Sequence, residues 1–226
     1  MGDLLLIFVK WPEPGKVKTR LAQSVGDQEA MRIYQLLVRE VMRILPPLFS
    51  AQGLESGEEP ATCWFFFTPQ SRREETAHWL KAEALRAGWK QDQVILKPQT
   101  GGNLGLRLRA GFEQGFQAGF RRIAAIGTDC VELEGAMVQQ AWQQLSGDCE
   151  LVFGPASDGG YYLVAMNREE ACAVLDDIPW SSGSTLAASL TAAEQAGFRV
   201  RLLDQLSDVD TAADWQRAQP MLDQDG

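Results

Sequence analysis

"LLLIFVKWPEPGKVKTRLA", residues 4–22, decides how the chain is read. Leu4 to Val9 form an unbroken apolar run, the pattern of a strand buried on both faces rather than of a half-exposed, alternating one. The run ends at Lys10, passes through Pro12, Glu13, Pro14 and Gly15, and then sets Lys16, Lys18 and Arg20 within five residues. Four cations after the first strand stand out in a chain of formal charge −9. Proline and glycine stiffen and turn the backbone so that its amides can face inward. Lys16, Lys18 and Arg20 can then neutralise a di- or triphosphate, the arginine in a bidentate way. The loop is not a Walker A motif, because Lys18-Thr19 follows Val17 rather than glycine. A solvated basic turn is the structural alternative.

Working outward, "TCWFFF" (62–67), "QVILK" (93–97), "RIAAIG" (122–127), "ELVFGPA", "YYLVAM" and "FRVRLL" read as further strands. Between them lie helical patterns. Met31, Tyr34, Leu37, Val38, Val41, Met42 and Leu45 recur at spacings of three and four, behind Asp27 as a candidate cap and ahead of Pro46 and Pro47. Further helices are expected over 71–87, stopped by Gly88, along the Leu108, Phe112, Phe116, Phe120 repeat, over 135–146 and 183–196, and in "TAADWQRAQ". Residues 50–60 read as a loose surface connection. Strands alternating with helices predict an α/β fold, a mostly parallel sheet covered on both faces, within one domain spanning 1–226. Ligands of such sheets bind beyond the carboxyl ends of the strands.

The totals exclude several functions. Hydrophobic content of 45% and charged content of 23% are those of a globular protein, and the net negative charge argues against a nucleic-acid binder. No run approaches the ~20 apolar residues of a membrane span, and no signal peptide is visible, so a cytoplasmic location is expected. Cys63, Cys130, Cys149 and Cys172 lack metal-site spacing and read as reduced and buried. His78, the sole histidine, falls in a helical pattern as a surface residue. A histidine-based triad or zinc site would have to be built on it alone. The chemistry therefore rests on carboxylates, cations, backbone amides and a hard metal ion.

Four more stretches carry that chemistry. In "QTGGNLGLRLR" (99–109), Gly101 and Gly102 offer close backbone approach ahead of a helix N-terminus, with Gln99 and Arg107 beside them. Asp129, in "IGTDC", closes a buried strand, where a carboxylate needs a cation or donors; magnesium fits, and helix capping is the alternative. Asp158, Gly159 and Gly160 make a tight turn whose plain reading is a hairpin. Asp208, Asp210 and Asp214 precede the last helix, and Thr211 can cap it. Capping explains one acid, hardly three. Trp11, Tyr161 and Trp180 can stack on a ring or pack in the core.

"FVKWPEPGKVKTRLA", "GTDC", "GPASDGGYYL", "PWSSGST" and "DVDTAADW" together resemble a bacterial family of GT-A-like transferases, the DUF2064 type, within the nucleotide-diphospho-sugar transferase superfamily. Members are labelled glycosyltransferases, some linked to arsenosugar biosynthesis. The match runs in order from residue 6 to about 215. Val131 departs from it, standing where the family usually has proline. The resemblance implies a Rossmann-like GT-A fold, a nucleotide bound in the N-terminal half at Lys10, Gly15, Lys16, Lys18, Arg20, Gln99, Gly101, Gly102 and Arg107, and a divalent cation, Mg2+ or Mn2+. Asp129 looks like the first metal aspartate and Asp210 like a second. Asp129 and Asp158 are the catalytic candidates, and Asp158, Gly159, Gly160, Tyr161 and Trp180 would face the second substrate. The implied reaction is transfer of a sugar from a nucleoside-diphosphate donor to a small acceptor. Nucleotidyl transfer from a nucleoside triphosphate to a sugar phosphate, and a non-catalytic nucleotide-binding module, are the competing readings.

Overall fold

The computed structural model describes residues 2–50, 59–180 and 182–223, so most of the expected 50–60 connection lies outside the described residues. Seven strands form one sheet: β1 (Leu4–Lys10), β2 (Thr62–Thr68), β3 (Ile95–Pro98), β4 (Ile123–Ile126), β5 (Leu151–Pro155), β6 (Tyr161–Met166) and β7 (Val200–Leu202). Their order is β3-β2-β1-β4-β6-β5-β7. β1 pairs in parallel with β2 and β4, β2 with β3, and β5 with β7, whereas β6 runs antiparallel to both of its neighbours. The sheet is thus mixed, because the Asp-Gly-Gly turn returns the chain directly beside β5 instead of through a helical crossover.

Helices α1 (Thr19–Val25), α2 (Asp27–Ile44), α3 (Arg73–Arg86), α4 (Leu104–Gln117), α5 (Gly135–Leu145), α6 (Thr185–Gln195) and α7 (Ala212–Asp223) complete the fold. The apolar run of β1 serves two cores at once. Leu5, Ile7 and Val9, with Cys63, Phe65 and Phe67 of β2, pack under α2, α3 and α5. Leu4 and Leu6, with Trp64 and Phe66, pack under α4, α6 and the short helical turn 169–175. Each such side chain contributes about 1.5–3 kcal/mol on leaving water, so the central strands anchor the fold. A third cluster lies off the sheet: Leu21 of α1, Ala30, Ile33 and Leu37 of α2, Ala218 of α7, and Val209.

The local structure departs from the sequence reading in three places. Asp27 is not the cap of α2: Gly26 holds that position at φ 84° with no side-chain cap bond, and Asp27 is the first helical residue, where its charge suits the helix dipole. Residues 19–25, to which the sequence reading assigns no element, form α1; one buried leucine in seven residues leaves no periodic signal to read. The last helix continues through Pro220 to Asp223. The four cysteines are buried and unbridged, and His78 is exposed. Among the described residues, no helix is long and apolar enough to cross a membrane.

Candidate active site

A cleft of about 740 Å³ opens beyond the carboxyl ends of β1 and β4. Several loops build it. β1 ends in Lys10, whose backbone N–H donates to the Tyr34 hydroxyl (2.8 Å), which donates back to the Lys10 carbonyl (3.2 Å). Burial of Tyr34 on α2 keeps that phenol protonated by pushing its pKa up. The loop then reaches Lys18, whose backbone lies in the left-handed region (φ 47°, ψ 47°) just before α1. That conformation costs a non-glycine residue about 1–3 kcal/mol, and it turns the side chain inward: only 4% of it is exposed.

Lys18 Nζ stands 2.9 Å from Asp129 Oδ1 and 3.1 Å from Asp210 Oδ1. Arg20 Nη1 donates to Asp210 Oδ2 at 2.9 Å. Burial opposes the charge on Lys18, but Asp129 and Asp210 more than offset it, and its pKa stands above the ordinary value. The first loop and the far end of the chain therefore meet at one rim, 192 residues apart in sequence. Packing explains the meeting. Val209 N donates to the Asp129 carbonyl (2.8 Å), and Val209, Leu21 and Ala218 share the third apolar cluster.

The three acids of the "SDVD" segment and its helix part company. Asp214 Oδ2 accepts from Thr211 N at 2.7 Å and Asp210 N at 3.2 Å, while Asp214 N donates to Thr211 Oγ1, so this acid starts α7. Asp210 faces Lys18 and Arg20. Asp208 sits in the cleft wall, and burial, followed by the charge of Asp129, pushes its pKa up to about 7.

The other walls are less charged. Gln99 Nε2 donates to the Val9 and Phe66 carbonyls, and Arg107 donates to Gln99 Oε1 and to the Gly102 carbonyl. Gly101 and Gly102 do not line the cleft, and the N-terminus of α4 is capped by Asn103, which accepts from Leu106 N at 3.0 Å. Asp158 Oδ1 accepts from Gly160 N (2.8 Å), so the turn is at once a hairpin and a cleft wall. Gly159 (φ 87°) admits no other residue, since a Cβ there would lie 2.1 Å from the Gly183 carbonyl oxygen. Tyr161 and Trp180 meet edge to face at 6.0 Å in the wall, whereas Trp11 packs on Trp79 outside it.

Of the residues singled out in the sequence, Lys10, Lys18, Arg20, Gln99, Arg107, Asp129, Asp158, Gly160, Tyr161, Trp180 and Asp210 share this cleft; Gly15, Lys16 and Gly159 do not line it. Tyr34, Thr128, Asp208, Ser182 and Thr185 join it without having been chosen. Tyr34 sits in the apolar stripe of α2 and reads as core; Asp208 was visible only as one of three acids. Cys130 is no nucleophile, because burial pushes its pKa up to about 12. A second depression, about 880 Å³, lies at the amino ends of the strands around Asp3, Arg122 and Ser146. Arg122 there is engaged by Asp3 at 2.6 and 2.9 Å, and Arg121 and Arg168 also line it.

No curated protein matches the sequence. Among solved structures, a protein of Desulfovibrio desulfuricans G20, provisionally described as a nucleotide-diphospho-sugar transferase, is similar over 99% of this chain and 98% of its own (26% identity, TM-score 0.79). The 4-diphosphocytidyl-2C-methyl-D-erythritol synthase of Anaerococcus prevotii DSM 20548 shares the fold over 98% of both chains (8% identity, TM-score 0.59). Glucosyl-3-phosphoglycerate synthase of Mycobacterium tuberculosis, solved with Mn2+ and UDP, shares it over 97% of this chain and 76% of its own (11% identity, TM-score 0.52). The fold is thus the Rossmann-like GT-A fold of nucleotide-dependent transferases. The model of the family described as "Uncharacterized protein conserved in bacteria (DUF2064)" matches residues 58–182, more than half of the chain, and the protein belongs to that family.

Proposed function

We propose that the protein is an enzyme that transfers a sugar from a nucleoside-diphosphate donor to a small acceptor. The observation that carries this reading is the meeting of Lys18 and Arg20 with Asp129 and Asp210 on one rim of the cleft. Lys18 and Arg20 would neutralise a diphosphate as the sugar leaves it. Lys16, exposed and outside the cleft, drops out of the cation set, which leaves the loop better matched to two phosphates than to three. Asp129 and Asp210, two hard oxygen donors directed at one point, suit Mg2+ or Mn2+, which would add Lewis-acid stabilisation of the leaving diphosphate. Asp158, held through Oδ1 by Gly160 N, would accept the proton of an acceptor hydroxyl. Tyr161 and Trp180 would give the second substrate an aromatic wall.

One observation favours nucleotidyl transfer instead. Lys10 and Arg107 also line the cleft, and with Lys18 and Arg20 they could hold a triphosphate. Product analysis separates the readings. Nucleotide sugars with Mg2+ and candidate acceptors should release nucleoside diphosphate, and Asp129→Asn should lower turnover by about a hundredfold or more while melting like wild type. Pyrophosphate released from a nucleoside triphosphate and a sugar phosphate would establish the alternative. Nucleotide binding without turnover would leave a binding module, and wild-type turnover in Asp129→Asn would remove that carboxylate from the chemistry.

A further inference from the structure

The carboxylate pair proposed above to hold a metal already holds a cation. Lys18 Nζ lies within 3.1 Å of one oxygen of each aspartate, with 4% of its side chain exposed and its backbone held in a left-handed conformation that non-glycine residues avoid. Arg20 engages the second oxygen of Asp210. Mg2+ binds oxygen at about 2.0–2.1 Å, so a pair spaced around an ammonium group must close by nearly 1 Å on each side to grip it. A divalent ion and the Lys18 ammonium also compete for this point, because they need the same carboxylate oxygens and like charges a few ångströms apart repel.

We propose that Lys18 is the resident cation of the free protein, that it excludes a divalent ion from Asp129 and Asp210, and that the ion enters only when the phosphates of a nucleotide draw the ammonium away. This inference rests on the reading of Asp129 and Asp210 as metal ligands. Lys18 is then both a lock and a phosphate contact, and binding is ordered, nucleotide before or together with metal. The left-handed backbone fits such a role: the two ion pairs of the resting state offset its strain, and a diphosphate can take their place.

The test is Mn2+ binding followed by electron paramagnetic resonance on the full chain, without nucleotide. Wild type should bind the ion weakly, and Lys18→Met should bind it about ten- to a hundredfold more tightly, the usual size of a coupling between two sites. Asp210→Asn in the Lys18→Met background should lose the gain. Equal Mn2+ affinity in wild type and Lys18→Met overturns the lock. No Mn2+ binding in either protein, with or without UDP, overturns the metal reading itself, whatever the sugar-transfer assay gives. Should Lys18→Met fail to fold, judged by circular dichroism, thermal shift on wild type decides. Mn2+ alone should leave the melting temperature unchanged while Mn2+ with UDP raises it above the value with UDP alone, and stabilisation by Mn2+ alone overturns the proposal.

Discussion

The two edges of the sheet handle charge in opposite ways. At the amino ends of the strands, Arg122 and Asp3 form a two-bond pair, and Arg122 adds contacts to Ser146 and the Trp142 carbonyl. At the carboxyl ends, one ammonium is divided between Asp129 and Asp210, while Asp208 and Asp158 line the same cleft. Burial there, followed by the charge of Asp129, pushes Asp208 towards its neutral form. The first arrangement ties two elements of the fold together. The second gathers cations and carboxylates in an open cleft, the arrangement on which the proposed nucleotide site rests.

The largest way to break this contrast runs through the third apolar cluster. Leu21 is fully buried, and Leu21→Ala should cost about 2–5 kcal/mol. Thermal melting should fall by roughly 5–15 °C, and nucleotide affinity should fall with it, because α1 directly follows Lys18 and α7 follows Asp210. A melt unchanged within error would mean that the cluster does not fasten the rim.

Next comes Asp208. Its unfolded pKa is about 3.9, and its folded value is about 7. Between these the folded state holds the extra proton, so this group's contribution to stability falls as pH rises across the window. Asp208→Asn should therefore be more stable than wild type at pH 8 by roughly 1–3 kcal/mol and gain little at pH 4. A difference that does not change with pH would mean that Asp208 does not hold its proton in the folded state.

The smallest effect belongs to the opposite edge. Arg122→Ala should cost about 1 kcal/mol of stability, its pair with Asp3 being partly solvated, and leave nucleotide titrations alone. A change in nucleotide affinity there would erase the distinction between the edges.

Much of this was legible before any coordinates. The unbroken run of β1, the joints at Pro and Gly, and the helix periodicities gave the layers. The rule that ligands gather beyond strand ends drew the basic loop, Gly101-Gly102 and Thr128-Asp129 towards one rim, and of these the glycine pair lies outside the cleft. What stayed hidden was tertiary. Asp158 and Gly160 gave an ordinary hairpin signal, and nothing in the letters says that β6 then slots antiparallel between β4 and β5. Lys18 looked like its neighbour Lys16, yet one is buried and the other exposed, a difference set by the left-handed turn before α1. Tyr34 was indistinguishable from the leucines around it until its hydroxyl met the end of β1.

The clasp between Lys18 and Asp210 also has a timetable. Its halves are separated by 192 residues, and at about 5–20 residues per second a ribosome needs on the order of 10–40 s to travel from one to the other. During that interval the sheet can begin to pair while its most highly charged corner waits for a partner. The central strands of the nascent protein can therefore come together before this clasp can close.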